Sequence, residues 1–185
     1  MLGRILVMAA ALMLGAVQLT SAGEPPATKP AKKPPIDFRK LKEVVPAELA
    51  GVKRSSNEGE KISIGELNIS QVNAQFQKAE PAENDPSVQL QIVDYASAPE
   101  MGNVMTAWQQ MEVDKESDNG FERTTKYKDQ PAYETYQNEG KSGQVQIWVG
   151  SRFYVNVQTT NLTAEQMKKL VESLPLEKLV ELAKS

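Results

Sequence analysis

Residues 143–160 read GQVQIWVGSRFYVNVQTT, and this stretch decides the fold. Apolar and polar residues alternate on both sides of a Gly150-Ser151 break, which is the period of a β-strand with one buried and one solvated face. Two such runs around a glycine turn predict an antiparallel β-hairpin, and the rest of the chain is organised around it.

The register of this hairpin follows from the parity of its residues. A two-residue loop would pair Trp148 with Phe153 and place apolar and polar side chains on the same face. A three-residue loop over residues 150–152 instead pairs Val149 with Phe153 and makes one face apolar throughout. We therefore predict the three-residue loop, or a bulge, with Gly150 or its neighbour at positive φ.

The first 22 residues have the pattern of a secretory signal peptide. Arg4 is followed by an apolar run over residues 5–17 and then by small residues that a signal peptidase reads. The run is short for a membrane span and ends in a cleavage-like site. We predict cleavage after Ala22 and a periplasmic or secreted bacterial protein that meets the membrane only through this signal before cleavage. The alternative is an uncleaved N-terminal anchor.

Residues 23–37 are predicted to be a disordered tether. They are rich in proline, lysine and alanine, and they hold too few large apolar residues to offset the entropy lost on ordering. Residues 38–185 are predicted to form a single domain, since a chain of this length buries enough surface to fold without staples.

The composition excludes several kinds of chemistry. The 185 residues include no cysteine and no histidine, and the formal net charge is −3. Disulfides, thiolate nucleophiles and cysteine zinc sites are therefore excluded, and the commonest general base is missing. The mild acidity argues against binding to a row of phosphates. These features favour a non-enzymatic protein, and we predict neither a cofactor nor a nucleic-acid partner.

The remaining patterns predict an α+β domain. Period-two runs indicate an antiparallel sheet of about six to seven strands, with a bulge at Gly65 and an exposed turn over residues 55–60. Thr163 and Gln166 have the spacing of a capping box and are followed by apolar positions typical of C-terminal helices. A central Met-rich helix over residues 99–112 is predicted by apolar residues at helical spacing, Met101, Val104, Met105, Trp108 and Met111.

This layout resembles the PsbP-like fold, which has early strands, a central helix, consecutive antiparallel strands and a closing helix. The local points of similarity are residues 128–133, where Pro131 enters a strand, and the ending Leu170-Val171-Glu172-Ser173-Leu174. Residues 41–54 also resemble a group of uncharacterised exported bacterial proteins. Members of the wider fold bind partner proteins in membrane-associated complexes or have no known role, so the resemblance assigns no functional residue.

Two groups of potential metal ligands are better explained without a metal. An acidic loop predicted at residues 114–120 alternates carboxylates as a calcium loop does, but the required glycine and closing glutamate fall on Asn119 and Thr125. The methionines of the 99–112 helix are soft enough for copper, yet their spacing is that of a helix packed in the core. We predict no metal site.

The predicted functional surface is the polar side of the hairpin. Amide groups and flat aromatic rings suit a neutral polar ligand such as a glycan, or a peptide. We predict an exported, non-enzymatic binding module of the bacterial envelope, whose partner is an envelope protein or a polar ligand. The candidate ligand-binding residues are Gln144, Gln146, Trp148, Tyr154, Asn156 and Gln158.

Three alternatives stay open at the level of the sequence. The same face fits an ordinary solvated sheet surface, or one covered by the 99–112 helix. A carboxylate-based envelope enzyme would need the acidic residues at 114–122 to converge in a cleft with perturbed pKa values. A purely structural accessory subunit would show a large exposed apolar patch.

Overall fold

A nine-stranded antiparallel sheet forms the body of the protein. The computed structural model describes residues 33–65, 67–96 and 110–185, all within the unit that begins at Lys32. The strands are β1 (Glu48–Leu49), β2 (Val52–Ile64), β3 (Leu67–Phe76), β4 (Ser87–Asp94), β5 (Asp114–Ser117), β6 (Gly120–Tyr127), β7 (Gln130–Gln137), β8 (Ser142–Val149) and β9 (Phe153–Thr160). The helices are α1 (Phe38–Val44), α2 (Ala164–Ser173) and α3 (Leu176–Lys184), with a 3-10 turn at Glu139–Lys141.

The sheet consists of two meanders that meet in its middle. Strands β1 to β4 lie in sequence order, β4 pairs with β9, and β8 to β5 then follow in reverse order. All neighbouring strands are antiparallel. The chain between β4 and β5 therefore leaves the centre of the sheet and re-enters it at the far edge.

The predicted α+β class is wrong. Of the described residues, 50% lie in strands and 21% in helices, and the sheet has nine strands in place of about six to seven. No central Met-rich helix occurs in the part of the chain that the structure describes. Most of the predicted 99–112 span lies outside the described residues, and residues 110–112 are a turn and irregular backbone. The resemblance to the PsbP-like family is not tested by these residues and stays a prediction.

Three segments predicted as a turn, a loop and a bulge differ in the structure, and two of them lie in strands. Residues 55–60 lie in the middle of β2, and residues 114–120 contain β5 and its turn into β6. Gly65 (φ +58°) is no bulge but part of the turn between Ile64 and Leu67, which pair with each other. Strand β5 is exposed along its whole length and β2 along most of it, so neither strand needs the apolar alternation that marks a half-buried strand.

The hairpin of β8 and β9 has the predicted register. Val149 pairs with Phe153, and Ile147 pairs with Val155. The backbone N–H of Arg152 donates to the Val149 carbonyl at 3.1 Å and closes the three-residue loop. Both Gly150 (φ +58°) and the next residue of the loop have positive φ, as the prediction required.

The apolar side of this hairpin lies at the centre of the core. Val145, Ile147 and Val157 are completely buried, and all three helices contribute residues to the same cluster. Helix α2 starts at the predicted capping box. The Thr163 hydroxyl accepts from the Gln166 N–H at 3.2 Å, and the Gln166 side chain accepts from the Thr163 N–H at 2.8 Å.

A buried ion pair links the end of β4 to the loop of the β8 and β9 hairpin. Asp94, at the end of β4, is 0% exposed, and Arg152, in the hairpin loop, is 5% exposed. The guanidinium donates to both carboxylate oxygens of Asp94 at 2.9 Å, and it also donates to the carbonyls of Pro34 (3.1 Å) and Ser185 (3.2 Å). The backbone N–H of Ile36 donates to Asp94 at 2.7 Å. We call this group the clasp. It holds residues 34 and 36, which fall in the predicted tether, against the sheet.

Candidate ligand-binding surface

The side of the sheet opposite the core carries amide and hydroxyl groups over its five central strands. Strand pairing and the alternation of side chains put these residues on one surface, which we call the amide face. Its members on β3, β4, β9, β8 and β7 are Gln71, Asn73, Gln75, Gln89, Gln91, Asn156, Gln158, Gln144, Gln146, Thr135 and Gln137.

Within the described residues, charged side chains on this side of the sheet lie only at the margins of the amide face. Glu58 and Glu60 lie on β2 at one margin, and Lys115 and Glu122 lie on β5 and β6 at the other. No outward position on the five strands between them carries a charged residue, although 24% of the chain is charged. The centre of this surface is therefore polar and uncharged.

Residues of the amide face form rows that cross the strands. Each member of a row is paired with the next on the neighbouring strand. The outer row is Gln75, Gln89, Gln158, Gln144 and Thr135. The middle row is Asn73, Gln91, Asn156, Gln146 and Tyr133. The inner row is Gln71, Val93, Tyr154 and Trp148.

Exposure and polarity both fall from the outer row to the inner row. Gln75, Gln89 and Gln158 of the outer row are exposed. In the inner row Val93 is only 4% exposed and Trp148 only 2%. The surface is thus open to solvent along its outer row and closed along its inner one.

The six predicted ligand-binding residues lie on this face with unequal access to solvent. Gln158 is exposed, and Gln144, Gln146, Asn156 and Tyr154 are half-buried. The Gln144 side-chain N–H donates to the Asn156 side-chain oxygen at 2.9 Å, so these two amides orient each other. The Trp148 ring lies on the same face but is only 2% exposed, so it is not open to a ligand.

Two tyrosines lie at the inner end of the amide face, Tyr154 within the inner row and Tyr95 next to Trp148. The Tyr95 ring centre lies 6.4 Å from that of Trp148. Burial, and to a lesser extent the neighbouring Tyr95 phenol, raise the pKa of Tyr154 above its ordinary value. The Tyr154 phenol is therefore neutral at physiological pH, and it adds no charge to the inner end of the amide face.

An open depression of about 360 Å³ lies at the β7 to β9 end of the outer row. The predicted residues Gln144 and Gln158 line it, together with residues that the sequence did not single out, Thr135, Gln137, Ser142 and Thr160. Their parity in β7, β8 and β9 would have placed them on the polar face, but only the pairing of β7 with β8 brings them beside the predicted amides. Every polar side chain at this depression is uncharged.

The acidic residues at 114–122 do not converge. Asp114 and Glu116 project from β5 to the opposite side from Lys115 and Glu122, because successive side chains of a strand alternate. Within the described residues there is no group of three or more carboxylates that could hold a metal ion. Glu116 and Glu122 both border an open depression of about 520 Å³, but Asp114 and Asp118 do not, so the four carboxylates share no cleft.

Glu122 is held by two neighbours at the margin of the amide face. Its carboxylate accepts a hydrogen bond from the Tyr133 hydroxyl and pairs with Lys115 at 3.3 Å. The Tyr133 bond, followed by the Lys115 contact, lowers the pKa of Glu122 below its ordinary value. Burial, followed by the bond to Glu122, raises the pKa of Tyr133 to about 12.

This pair predicts a pH dependence at both extremes. The contribution of Glu122 to stability is present above the ordinary carboxyl pKa of about 4.3 and is lost as the pH falls through the lower folded value. The contribution of Tyr133 is present below the ordinary phenol pKa of about 10 and is lost as the pH rises through the folded value. Carboxyl NMR titration of the Tyr133→Phe variant should show the pKa of Glu122 moving up toward its ordinary value.

Glu177 provides the internal control for that titration. Its pKa is lowered chiefly by the side chain of Lys128, at 2.9 Å, and therefore should not respond to Tyr133→Phe. An unchanged Glu122 pKa in the variant, or equal shifts of Glu122 and Glu177, would contradict the assignment.

In the described residues, the fold and this surface define a class of protein, a nine-stranded antiparallel sheet domain with helices α1 to α3 over one face and an uncharged amide face on the other. No protein-family model, curated protein or solved structure matches the chain. The resemblance to exported proteins therefore stays a prediction. Among the described residues, no helix is both long and apolar enough to cross a membrane.

Proposed function

We propose that the protein is an exported, non-enzymatic binding module of the bacterial envelope that holds an uncharged polar ligand or partner against its amide face. Export is inferred from the signal-like pattern of residues 1–22. Binding is inferred from the surface itself. An envelope location and this surface together describe a protein that captures or tethers and does not transform its ligand.

The observation that carries the proposal is the uncharged centre of the amide face. Each Asn or Gln side chain offers two donor hydrogens and an acceptor oxygen, so the surface can form both kinds of hydrogen bond without selecting a charged ligand. The residues stand on the central strands of a sheet, which keeps their spacing fixed before binding. Preorganised groups lose less entropy when a ligand is bound.

The two competing classes of protein receive less support. A carboxylate-based enzyme lacks converging carboxylates at residues 114–122. For a structural subunit, the described residues include only two exposed large apolar side chains, Ile64 and Met111, which lie on separate segments. Scattered exposed apolar residues are normal and do not form an assembly surface.

Gln158→Ala is the variant that tests the proposal. Gln158 is exposed in the middle of the outer row, so its removal should change stability by less than about 0.5 kcal/mol. Against immobilised neutral glucans and uncharged peptides, we expect the variant to bind about fivefold to tenfold more weakly than the parent protein. Heparin fragments and polyglutamate serve as charged probes, and neither should be retained.

Lys168→Ala is the matched control. Lys168 is exposed on α2, which packs on the opposite side of the sheet, so binding should be unchanged. Equal effects of Gln158→Ala and Lys168→Ala, or stronger retention of the charged probes, would rule out the amide face as the binding surface.

A further inference from the structure

The outer row offers the same chemistry across five strands. Neighbouring strands lie about 4.8 Å apart, so the row from Gln75 to Thr135 extends over about 19 Å. Four of its five members are glutamines and the fifth is a threonine. A ligand that follows the row therefore meets a similar hydrogen-bonding group at each step.

Along a single strand, in contrast to the outer row, the chemistry of the side chains changes from residue to residue. From Gln144 through Gln146 to Trp148 the side chains pass from polar and half-buried to apolar and buried. On β4 the path from Gln89 ends at the buried Val93 in the same way. A polar ligand is therefore accommodated across the strands and not along them.

The shape of the surface favours an extended ligand over a compact one. Sites for small molecules bury most of the ligand's surface in a cleft, whereas the outer row is open and has a shallow depression at its Thr135 end. An extended chain compensates for the small area buried at each position, because it repeats the same weak contacts along its length. The charged pair of Glu122 and Lys115 follows directly after Thr135 and limits the uncharged path at that end.

The groups of the outer row favour hydroxyl-rich chains over peptides. Hydroxyl groups donate and accept, as amides do, and a row of them presents no fixed charge. A common mode of recognising an extended peptide on a sheet is addition of its backbone as a strand at a free edge. The outer row lies on a face, where the backbone groups already pair within the sheet.

We infer that the ligand of the amide face is an extended, uncharged, polyhydroxylated chain, of the kind formed by linear neutral oligosaccharides, and that it lies across the strands along the outer row. This inference rests on the proposed function, because it specifies the ligand of the same surface. Gln158 and Gln89 are the central contacts, and the middle row forms a second line of amides beside the chain.

Calorimetric titration of the full chain with linear neutral glucans of increasing length tests the inference. We expect the association constant to rise with length until the oligosaccharide spans about 19 Å and then to level off. Gln158→Ala should weaken binding of the longest oligosaccharide about fivefold to tenfold.

Gln71→Ala is the control on the same face. Gln71 is also a glutamine, but it lies in the inner row and donates to Glu60 at 2.5 Å, so its removal should leave binding of the glucan unchanged. Equal losses in Gln71→Ala and Gln158→Ala would overturn the assignment to the outer row.

The outcomes separate this inference from the proposed function. Absent or length-independent binding of every glucan overturns the inference. If uncharged peptides then bind and lose affinity in Gln158→Ala, the amide face is still the binding surface and only the ligand class is wrong. If Gln158→Ala changes the binding of no probe, both proposals fail.

Discussion

Arg152→Met is expected to lower the free energy of unfolding by about 3–5 kcal/mol. The guanidinium is 5% exposed, and its removal leaves the fully buried Asp94 carboxylate without a counter-charge. It also leaves the carbonyls of Pro34 and Ser185 without their donor. Denaturation in urea, followed by circular dichroism, measures the loss.

The exposed pair of Arg39 and Asp37 provides the comparison. Its side chains are 72% and 52% exposed and lie 3.4 Å apart, so Arg39→Met should cost less than about 1 kcal/mol. The double variant Asp94→Leu with Arg152→Met should recover part of the stability, since an apolar pair leaves no buried charge unpaired. A loss in Arg152→Met no larger than that in Arg39→Met would show that the clasp contributes little.

Trp148→Ala is expected to destabilise the protein by about 3–5 kcal/mol. The side chain is 2% exposed, so its removal leaves a large void in the inner row. This expectation differs from the one that the sequence favoured, in which the ring faced solvent and contacted the ligand. The alternation of β8 places Trp148 on the correct face but does not reveal how deeply it is buried.

Gln158→Ala again supplies the contrast, because it removes an exposed side chain from the same face with little effect on stability. The two variants should therefore affect different measurements. Trp148→Ala lowers the unfolding midpoint, while Gln158→Ala lowers the affinity for the ligand. If Trp148→Ala kept the parent unfolding midpoint and abolished binding, the ring would have to be a direct ligand contact.

The sequence predicts those parts of the fold in which burial imposes a period. The β8 and β9 hairpin was predictable down to its three-residue loop, because one face is wholly buried and a shift by one residue would expose it. The capping box at Thr163 was predictable because it depends on two side chains three residues apart. Both features are local in the chain.

The features that the sequence did not reveal depend on contacts between distant residues. Strands β2 and β5 lie near or at the edges of the sheet and bury little, so residues 52–60 and 114–117 carry no apolar alternation. Arg152 resembled any polar loop residue until folding placed it beside Asp94, 58 residues earlier. The same limit applies to the amide face, whose polar positions were predictable strand by strand but whose rows exist only through strand pairing.

The clasp also determines how the domain can be held. Because Arg152 bonds to both Pro34 and Ser185, the two ends of the folded region emerge beside the hairpin loop. Gln158 lies five residues along β9 from Phe153, about 17 Å away at the rise of a β-strand. A support, tag or fusion partner attached at either end therefore sits at the opposite end of the strands from the outer row, and an immobilised domain keeps that row oriented toward the solution.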